Sequence, residues 1–405
     1  MTDLRSSLDN AEPLYGERFR HDPAVLYADI RSRHGPVAPV LLDGDIPAWF
    51  VIGYRELHQV ASNSDLFARD TRRWNMWDRV PGDWPLMPYV MHNPSVMFAE
   101  AEEHRRRAGA LGDALGAFDQ FEIGMNCERI ADSLIDTFAG RGEAELMSEY
   151  VLKMPLSVLA TMYGLPEGDI PTLVHDIRTS LDVGPDAGPA YGRVQQAMAA
   201  LLERKRELPG PDVPSTLLEH PAGLTDEEIS LDLLVVASAA QQPTANWIGN
   251  TLRLMLTDER FALTLAGGRE SVGQALTEVL WHDTPTQNFI GRFAARDTEL
   301  AGRRIRAGDL LVLGLSAANT DPNVRLALPD ATGNRAHMSF GHGEHGCPYP
   351  APEVAEVIAK TSVEVLLDRL PDLNLGLPAE DLVWHPSVWM RGLTELPVTF
   401  TPTVV

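Results

Sequence analysis

The 405-residue chain has only two cysteines, Cys127 and Cys347, and only three lysines within a formal net charge of −23. Two cysteines cannot form a disulfide framework, which fits a protein of the reducing cytoplasm. The acidic balance argues against general nucleic-acid binding, because phosphates attract basic surfaces. We therefore expect a cytoplasmic protein that binds no nucleic acid.

Long apolar runs and a secretion signal are also missing. Even the apolar stretch at 231–240 is too short to cross a bilayer. Residues 1–15 are polar and acidic and lack the basic-then-apolar layout of a signal peptide. The hydrophobic share of 44% is nevertheless enough for a large core. These features predict a protein without a membrane segment.

Periodicity favours helices through most of the chain, with short strands towards both ends. Apolar and polar residues alternate over 37–52, with Asp43-Gly44 as the hairpin turn. We predict a mainly α fold with small β-sheets (α+β), forming one domain over 1–405. Helices are predicted at 23–35, 54–63, 101–117, 120–139, 144–163, 168–181, 189–206, 226–257 and 269–282, and strands near 292–299, 302–305, 310–315 and 396–405.

The most informative stretch is 338–350, which places Cys347 on a glycine-rich loop ahead of an amphipathic helical run, 352–370. Glycines let a backbone turn tightly and approach a flat ligand. Amide groups ahead of a helix start stabilise a thiolate, and a thiolate is the haem-iron ligand that favours cleavage of the O–O bond in oxygenases that use haem. A metal cluster of Cys347 with His342 and His345 is less favoured, because no second Cys/His pair stands at zinc-site spacing. A buried structural cysteine is the other alternative.

The pattern Phe340-Gly341-x-Gly343-x-His345-x-Cys347 resembles the haem-binding loop of the cytochrome P450 family. The resemblance extends over essentially the whole length, through 292–309, 317–322 and 389–398 in the expected order. It implies the cytochrome P450 fold, with a long distal helix over haem b and the cysteine loop beneath it. It also implies a bacterial haem-thiolate monooxygenase.

The resemblance assigns roles to several positions of this sequence. Cys347 becomes the axial ligand of the haem iron, with Phe340 and Gly341 in its loop. His104, Arg292 and His345 become ligands of the haem propionates, a task suited to charged donors. The family's arginine four residues after the helical histidine is Ala108 here, and Arg106 or Arg107 is the candidate substitute. The Arg105–Arg107 face is also a candidate docking site for an acidic ferredoxin-type partner. The alternative is that these arginines only form a solvated helix face.

The distal helix departs from the family pattern. Residues Ala239 to Thr244 stand where the family has its acid–alcohol motif for oxygen activation, so the implied catalytic positions are Gln242, Pro243 and Thr244. A glutamine cannot relay protons as a carboxylate does, and a proline has no hydroxyl group. Thr244 and the carbonyl freed by Pro243 are candidates to organise water. The alternative is a kink that only makes room for substrate.

A second departure affects the family's Glu-x-x-Arg motif, which is Glu278-Val279-Leu280-Trp281 here. The arginine of the later partner segment is also missing, because 329–332 reads Pro-Asp-Ala-Thr. Losing both arginines together is coherent, since part of a buried charge network costs more than removing most of it. We expect Trp281 to replace the network with packing.

Aromatic and sulfur side chains are dense in the segment 67–96, which resembles the family's variable loop over the substrate pocket. They suggest an apolar or aromatic substrate of the secondary-metabolite kind. The alternative is that the rings only pack a long loop. The candidate pocket residues are Trp74, Trp77, Trp84, Met87, Ala239 and Ala240.

Three functions follow from these features. The first is a monooxygenase that uses dioxygen and two electrons from a ferredoxin-type protein. The second is a peroxygenase driven by hydrogen peroxide, suggested by the altered acid–alcohol motif. The third is a haem- or ligand-binding sensor without catalytic activity, suggested by both departures.

Overall fold

The computed structural model describes residue 4 and residues 10–181, 186–262, 270–327 and 334–403. Its α-helices are α1 Gly16–His21, α2 Pro23–His34, α3 Tyr54–Ala61, α4 Met87–Val90, α5 Ala101–Gly116, α6 Gln120–Asp136, α7 Met154–Met162, α8 Ile170–Leu181, α9 Ala187–Glu207, α10 Val213–Glu219, α11 Asp226–Thr257, α12 Glu259–Ala262, α13 Glu270–His282, α14 Leu315–Asn319, α15 Pro322–Ala327 and α16 Ala351–Arg369. Its strands are β1 Glu12–Pro13, β2 Val37–Leu42, β3 Ile46–Val51, β4 Phe67–Ala68, β5 Glu143–Glu145, β6 Phe289–Ala294, β7 Thr298–Leu300, β8 Arg303–Ile305, β9 Leu310–Leu313, β10 Asn374–Leu375 and β11 Pro397–Thr399.

The chain forms two compact units. The first unit comprises 1–105, 280–347 and 384–391, and the second comprises 106–279, 348–383 and 392–405. The first holds most of the strands and the second most of the helices. The mainly α composition with small sheets agrees with the sequence, and a single domain over 1–405 stays a prediction.

A six-stranded sheet in the order β1-β2-β3-β9-β6-β4 organises the first unit. β2 and β3 form the predicted antiparallel hairpin, and Gly44 turns it with a φ of +72°. Every residue of β3 is buried, which matches a strand covered on both faces. The sheet therefore contributes much of the buried apolar core of the first unit.

The 32-residue helix α11 runs through the second unit. A capping box fixes its start: the Thr225 hydroxyl accepts from the Glu228 amide, and the Glu228 carboxylate accepts from the Thr225 amide. Acidic residues fill its first turn, where the helix dipole favours them. The strands β10, β11 and β5 form a small antiparallel sheet in the same unit.

The predicted helix at 144–163 is the main error of assignment. The structure opens this stretch with β5, follows it with one wide helical turn at Met147–Val151, and begins α7 only at Met154. Pairing of β5 with β11 decides the difference, because this long-range partner leaves no trace in local periodicity. Within the described ranges, no helix combines the length and apolarity needed to cross a membrane.

Candidate functional site

The cysteine loop of the first unit is a series of tight turns that ends at Cys347. The Cys347 amide donates to the Phe340 carbonyl over 2.8 Å, and the Gly341 amide donates to the Met338 carbonyl over 2.8 Å. Gly341 and Gly343 have positive φ angles of +72° and +73°. A Cβ on Gly343 would lie 2.3 Å from the Ala61 carbonyl oxygen, so only glycine fits there. The loop thus leaves Cys347 exposed, four residues before α16 begins.

Three side chains predicted to bind the haem propionates lie close together in the first unit. They are His104, Arg292 and His345. The imidazole rings of His104 and His345 lie 4.1 Å apart between centroids. Arg292 is 1% exposed, and burial lowers its pKa to about 10. Burial, together with the charges of His104, Arg292 and Arg69, lowers the pKa of His345 from 6.5 to about 2. The structure therefore brings three side chains together, from α5, β6 and the cysteine loop. Their surroundings disfavour a positive charge on each of them.

Donor atoms in this cluster lack partners. His104 Nδ1 and Arg292 Nε are buried without a hydrogen bond among the described residues. The closest carboxylate oxygen to His104 Nδ1, on Glu344, is 4.0 Å away and accepts instead from Arg105 Nη1 over 3.0 Å. Buried donors without acceptors are costly, so the cluster suits an anionic ligand. The two carboxylates of a haem fit this chemistry.

Arg69 lies beside this cluster and was not predicted from the sequence. It follows β4 directly and is 3% exposed. Its Nη1 and the Nη1 of Arg292 both donate to the Gly291 carbonyl oxygen, over 2.8 and 3.0 Å. Burial lowers the pKa of Arg69 well below its ordinary value, and the charge of Arg292 adds to the effect. No local motif marks this position, because its neighbours come from distant β6.

The arginines proposed to substitute for the missing one on α5 have other partners. Arg107 is 1% exposed and binds both carboxylate oxygens of Asp232, over 2.8 and 2.5 Å. Arg106 pairs with Glu228. Neither side chain is therefore available to a propionate, and a buried Arg107 cannot contact a protein partner. Of the predicted docking face Arg105–Arg107, Arg105 is the exposed member, at 63% of its side chain.

The catalytic positions proposed on the distal helix lie in the middle of α11, which continues through Pro243. Ala239 is exposed and Ala240 half-buried, whereas residues 244–252 are buried. The Gln242 amide donates to Asn246 Oδ1, one turn further along, over 2.9 Å. This bond fixes the orientation of a side chain that cannot act as an acid.

Glu278 and Trp281 of α13 each have a hydrogen-bond partner in the structure. In the second unit, Glu278 accepts from Arg260 Nη2 over 2.7 Å. In the first unit, the Trp281 indole is buried, donates to the Asn334 carbonyl over 3.1 Å and meets the His337 ring edge-on. Packing and one hydrogen bond therefore hold Trp281 in place, and its replacement of the family's charge network stays a prediction. The segment at 329–332 lies outside the described residues.

The tryptophans proposed for a substrate pocket largely pack the first unit. Trp74 and Trp84 are buried in the core formed on the sheet, and the Trp74 ring lies tilted against that of Phe293 with 6.1 Å between centroids. The Trp84 indole donates to the Asp43 carbonyl over 2.6 Å, which fastens the segment to the β2–β3 turn. Trp77 and Met87 are only partly buried against the same core. The packing interpretation fits Trp74 and Trp84 better than a role in substrate contact.

Comparisons with known proteins agree on one family. The chain is 28% identical over 401 residues to the vitamin D(3) 25-hydroxylase of Pseudonocardia autotrophica, covering 96% of each protein. It is 27% identical to the cytochrome P450 monooxygenase PikC of Streptomyces venezuelae, covering 95% of this chain and 92% of PikC. The solved structure of CYP154C4 from Streptomyces sp. ATCC 11861 aligns with a TM-score of 0.84 and 26% identity, covering 97% of this chain and 98% of that one. No family model matches the chain.

Proposed function

This chain belongs to the cytochrome P450 family and is an oxidoreductase of its monooxygenase type, and on that premise we propose a more specific activity. It binds haem b through the Cys347 thiolate and oxidises a small, largely apolar organic molecule. Dioxygen is the oxidant, and a ferredoxin-type protein supplies two electrons. The cytoplasm is the proposed location, in keeping with the two cysteines.

The observation that carries this proposal is the joint geometry of the cysteine loop and the cluster of His104, Arg292 and His345. Cys347 ends a glycine loop that admits no side chain at Gly343. His104 Nδ1 and Arg292 Nε are buried nitrogens without a hydrogen-bond partner in the part of the chain that the structure describes. A haem requires one soft ligand for iron and cationic partners for two carboxylates, and this unit supplies both kinds of group.

The roles proposed for the chain's own residues follow from their chemistry. Cys347 holds the iron, while His104, Arg292 and His345 bind and orient the propionates. Haem held by a thiolate supplies the activation of dioxygen. On α11, Thr244 offers a hydroxyl that holds and passes a proton through water, and Gln242 orients that water without changing its own charge.

The substrate class rests on the exposed surface of α11 and on the relatives. Ala239 and Ala240 present small apolar side chains, which leave room for a bulky apolar molecule. A relative named as a vitamin D(3) 25-hydroxylase is compatible with such a substrate. Arg105 supports the docking of an acidic electron-transfer protein, since its side chain is 63% exposed.

The first test is the absorption spectrum of the dithionite-reduced protein under carbon monoxide. A long-wavelength thiolate band is expected, and a histidine-type band would contradict ligation by Cys347. Turnover of a panel of apolar substrates should then be compared with a surrogate ferredoxin system and with hydrogen peroxide. Product from the ferredoxin system supports the monooxygenase.

A peroxygenase is the second candidate, and the amide of Gln242 with the adjacent Pro243 favours it, because neither is an acid. Product from peroxide alone would support this alternative.

A Thr244→Ala variant should release more peroxide per product in the reductive assay, if the Thr244 hydroxyl passes protons. Thr251→Ala is the matched control, since the Thr251 hydroxyl on the same helix donates to the Trp247 backbone carbonyl over 2.7 Å.

A further inference from the structure

Arg69 and Arg292 form a pair of buried guanidinium groups around one backbone oxygen. Both Nη1 atoms donate to the Gly291 carbonyl, and Arg69 also donates to the carbonyls of Ile290 over 2.6 Å and Met97 over 3.3 Å. The two side chains come from separate elements, the segment after β4 and strand β6. Their positions are therefore set by the fold rather than by sequence proximity.

Neither guanidinium has a carboxylate partner in the part of the chain that the structure describes. Glu100 lies nearby, but Oε1 accepts from the backbone amides of Arg69 and Asp70, and Oε2 pairs with Arg73. Glu344 pairs with Arg105. Two like charges removed from water repel each other strongly unless an anion joins them.

Aromatic rings limit the movement of the Arg69 side chain. Its guanidinium carbon lies 4.8 Å from the centre of the Phe289 ring and 5.8 Å from that of Phe98. Arginine stacks on such faces while its remaining N–H groups stay directed to a planar acceptor. The group is thus held in place before any ligand arrives.

We propose that Arg69 is a propionate-binding residue of this protein, acting with Arg292 on one carboxylate of the haem. Arg69 supplies the positive charge that Ala108 lacks. The charge of Arg107 is not available, because Arg107 is paired with Asp232. The proposal rests on the proposed function, because it requires the haem. It places the compensating arginine on a different element from the one that lost it.

The test compares Arg69→Gln with the haem-containing wild-type protein by two measurements. The first is the rate of haem transfer from the ferric protein to excess apomyoglobin. The second is the resonance Raman band of the propionate bending mode. Arg69→Gln should lose haem about tenfold faster, the effect of one charged hydrogen bond, and should shift the propionate band. Arg69→Lys retains the charge and should recover part of the slow rate.

Arg31→Gln is the matched control, because Arg31 also donates to two backbone carbonyls of the first unit, those of Ile52 and Ala317. It should leave the propionate band and the transfer rate unchanged. Equal acceleration in both glutamine variants with an unshifted band would mean that Arg69 only braces the backbone, which overturns the proposal. A rate within twofold of wild type for Arg69→Gln would overturn it as well.

Failure of the proposed function is recognised separately. A wild-type protein that shows no thiolate band under carbon monoxide contradicts the haem-thiolate assignment before any variant is compared. A wild-type protein with a normal thiolate band and an insensitive Arg69 contradicts only the role of Arg69.

Discussion

Buried arginines are neutralised differently in the two compact units. In the second unit, Arg107 binds Asp232 through two hydrogen bonds, and the two side chains are 1% and 0% exposed. In the first unit, Arg69 and Arg292 are buried to a similar extent, but they bind only carbonyl oxygens among the described residues. An arginine of similar burial thus has a carboxylate partner in the second unit and, among the described residues, only carbonyl partners in the first.

The difference separates a structural ion pair from a ligand site. A buried arginine with its own carboxylate needs nothing further and fastens one helix to another. A buried arginine that shares a carbonyl with a second arginine still has donors and charge to satisfy. Sequence alone does not distinguish them, since Arg107 is the better motif candidate and Arg69 the better structural one.

The largest expected effect comes from removing the thiolate in the first unit. Cys347→Ser should abolish the long-wavelength carbon monoxide band, because an alcohol does not give iron the electron density of a thiolate. The measurement is the reduced carbon monoxide difference spectrum. Cys127→Ala is the control and should retain the band, since Cys127 is buried in α6. An unchanged band in Cys347→Ser would refute the ligand assignment.

Breaking the complete pair of the second unit should have the next largest effect. Asp232→Asn leaves Arg107 buried without its anion and should lower the free energy of unfolding by about 3–5 kcal/mol. The measurement is a denaturant titration. The double variant Arg107→Leu/Asp232→Leu removes both charges and should recover most of the loss. If the single variant unfolds like wild type, the pair contributes little to stability.

Restoring the family's arginine at Trp281 should destabilise the protein rather than improve it. Trp281→Arg buries a new cation beside His337 and removes the indole hydrogen bond to Asn334. We expect a loss of about 2–3 kcal/mol in the free energy of unfolding and no gain in haem content. Trp281→Phe, which loses the hydrogen bond and part of the buried ring but introduces no charge, should cost about 1–2 kcal/mol. Higher haem content in Trp281→Arg would contradict the packing interpretation.

The smallest expected effect is a pH dependence from His337 in the first unit. Burial, with the nearby charge of Arg335, lowers the pKa of His337 from 6.5 to about 4. The unfolded chain therefore binds a proton at a higher pH than the folded protein. Its contribution is complete above about pH 6.5 and is lost as the pH falls towards 4.

Unfolding free energies measured at about pH 7 and pH 5 test this prediction. His337→Phe should reduce the difference between the two pH values by about 2 kcal/mol. An identical pH difference in the variant would show that other groups account for the titration.

Much of the fold was predictable because its signals are local. The hairpin at 37–52 follows from alternation and a turn residue, and α11 follows from its capping residues and apolar periodicity. The helix predicted at 144–163 was wrong at its start, where β5 pairs with the distant β11. The cysteine loop was also predictable from its glycine positions, since the structure leaves no space for a Cβ at Gly343.

By itself, the sequence determined the family resemblance, the loop that presents Cys347 and the loss of the arginine at Trp281. These depend on residue identity and short spacing, which a chain carries whether folded or not. Only the tertiary structure decided that Arg107 is paired with Asp232 and that Arg69 and Arg292 donate to the same Gly291 carbonyl. The physical reason is that charge compensation depends on distances across elements far apart in the chain, and folding alone sets those distances.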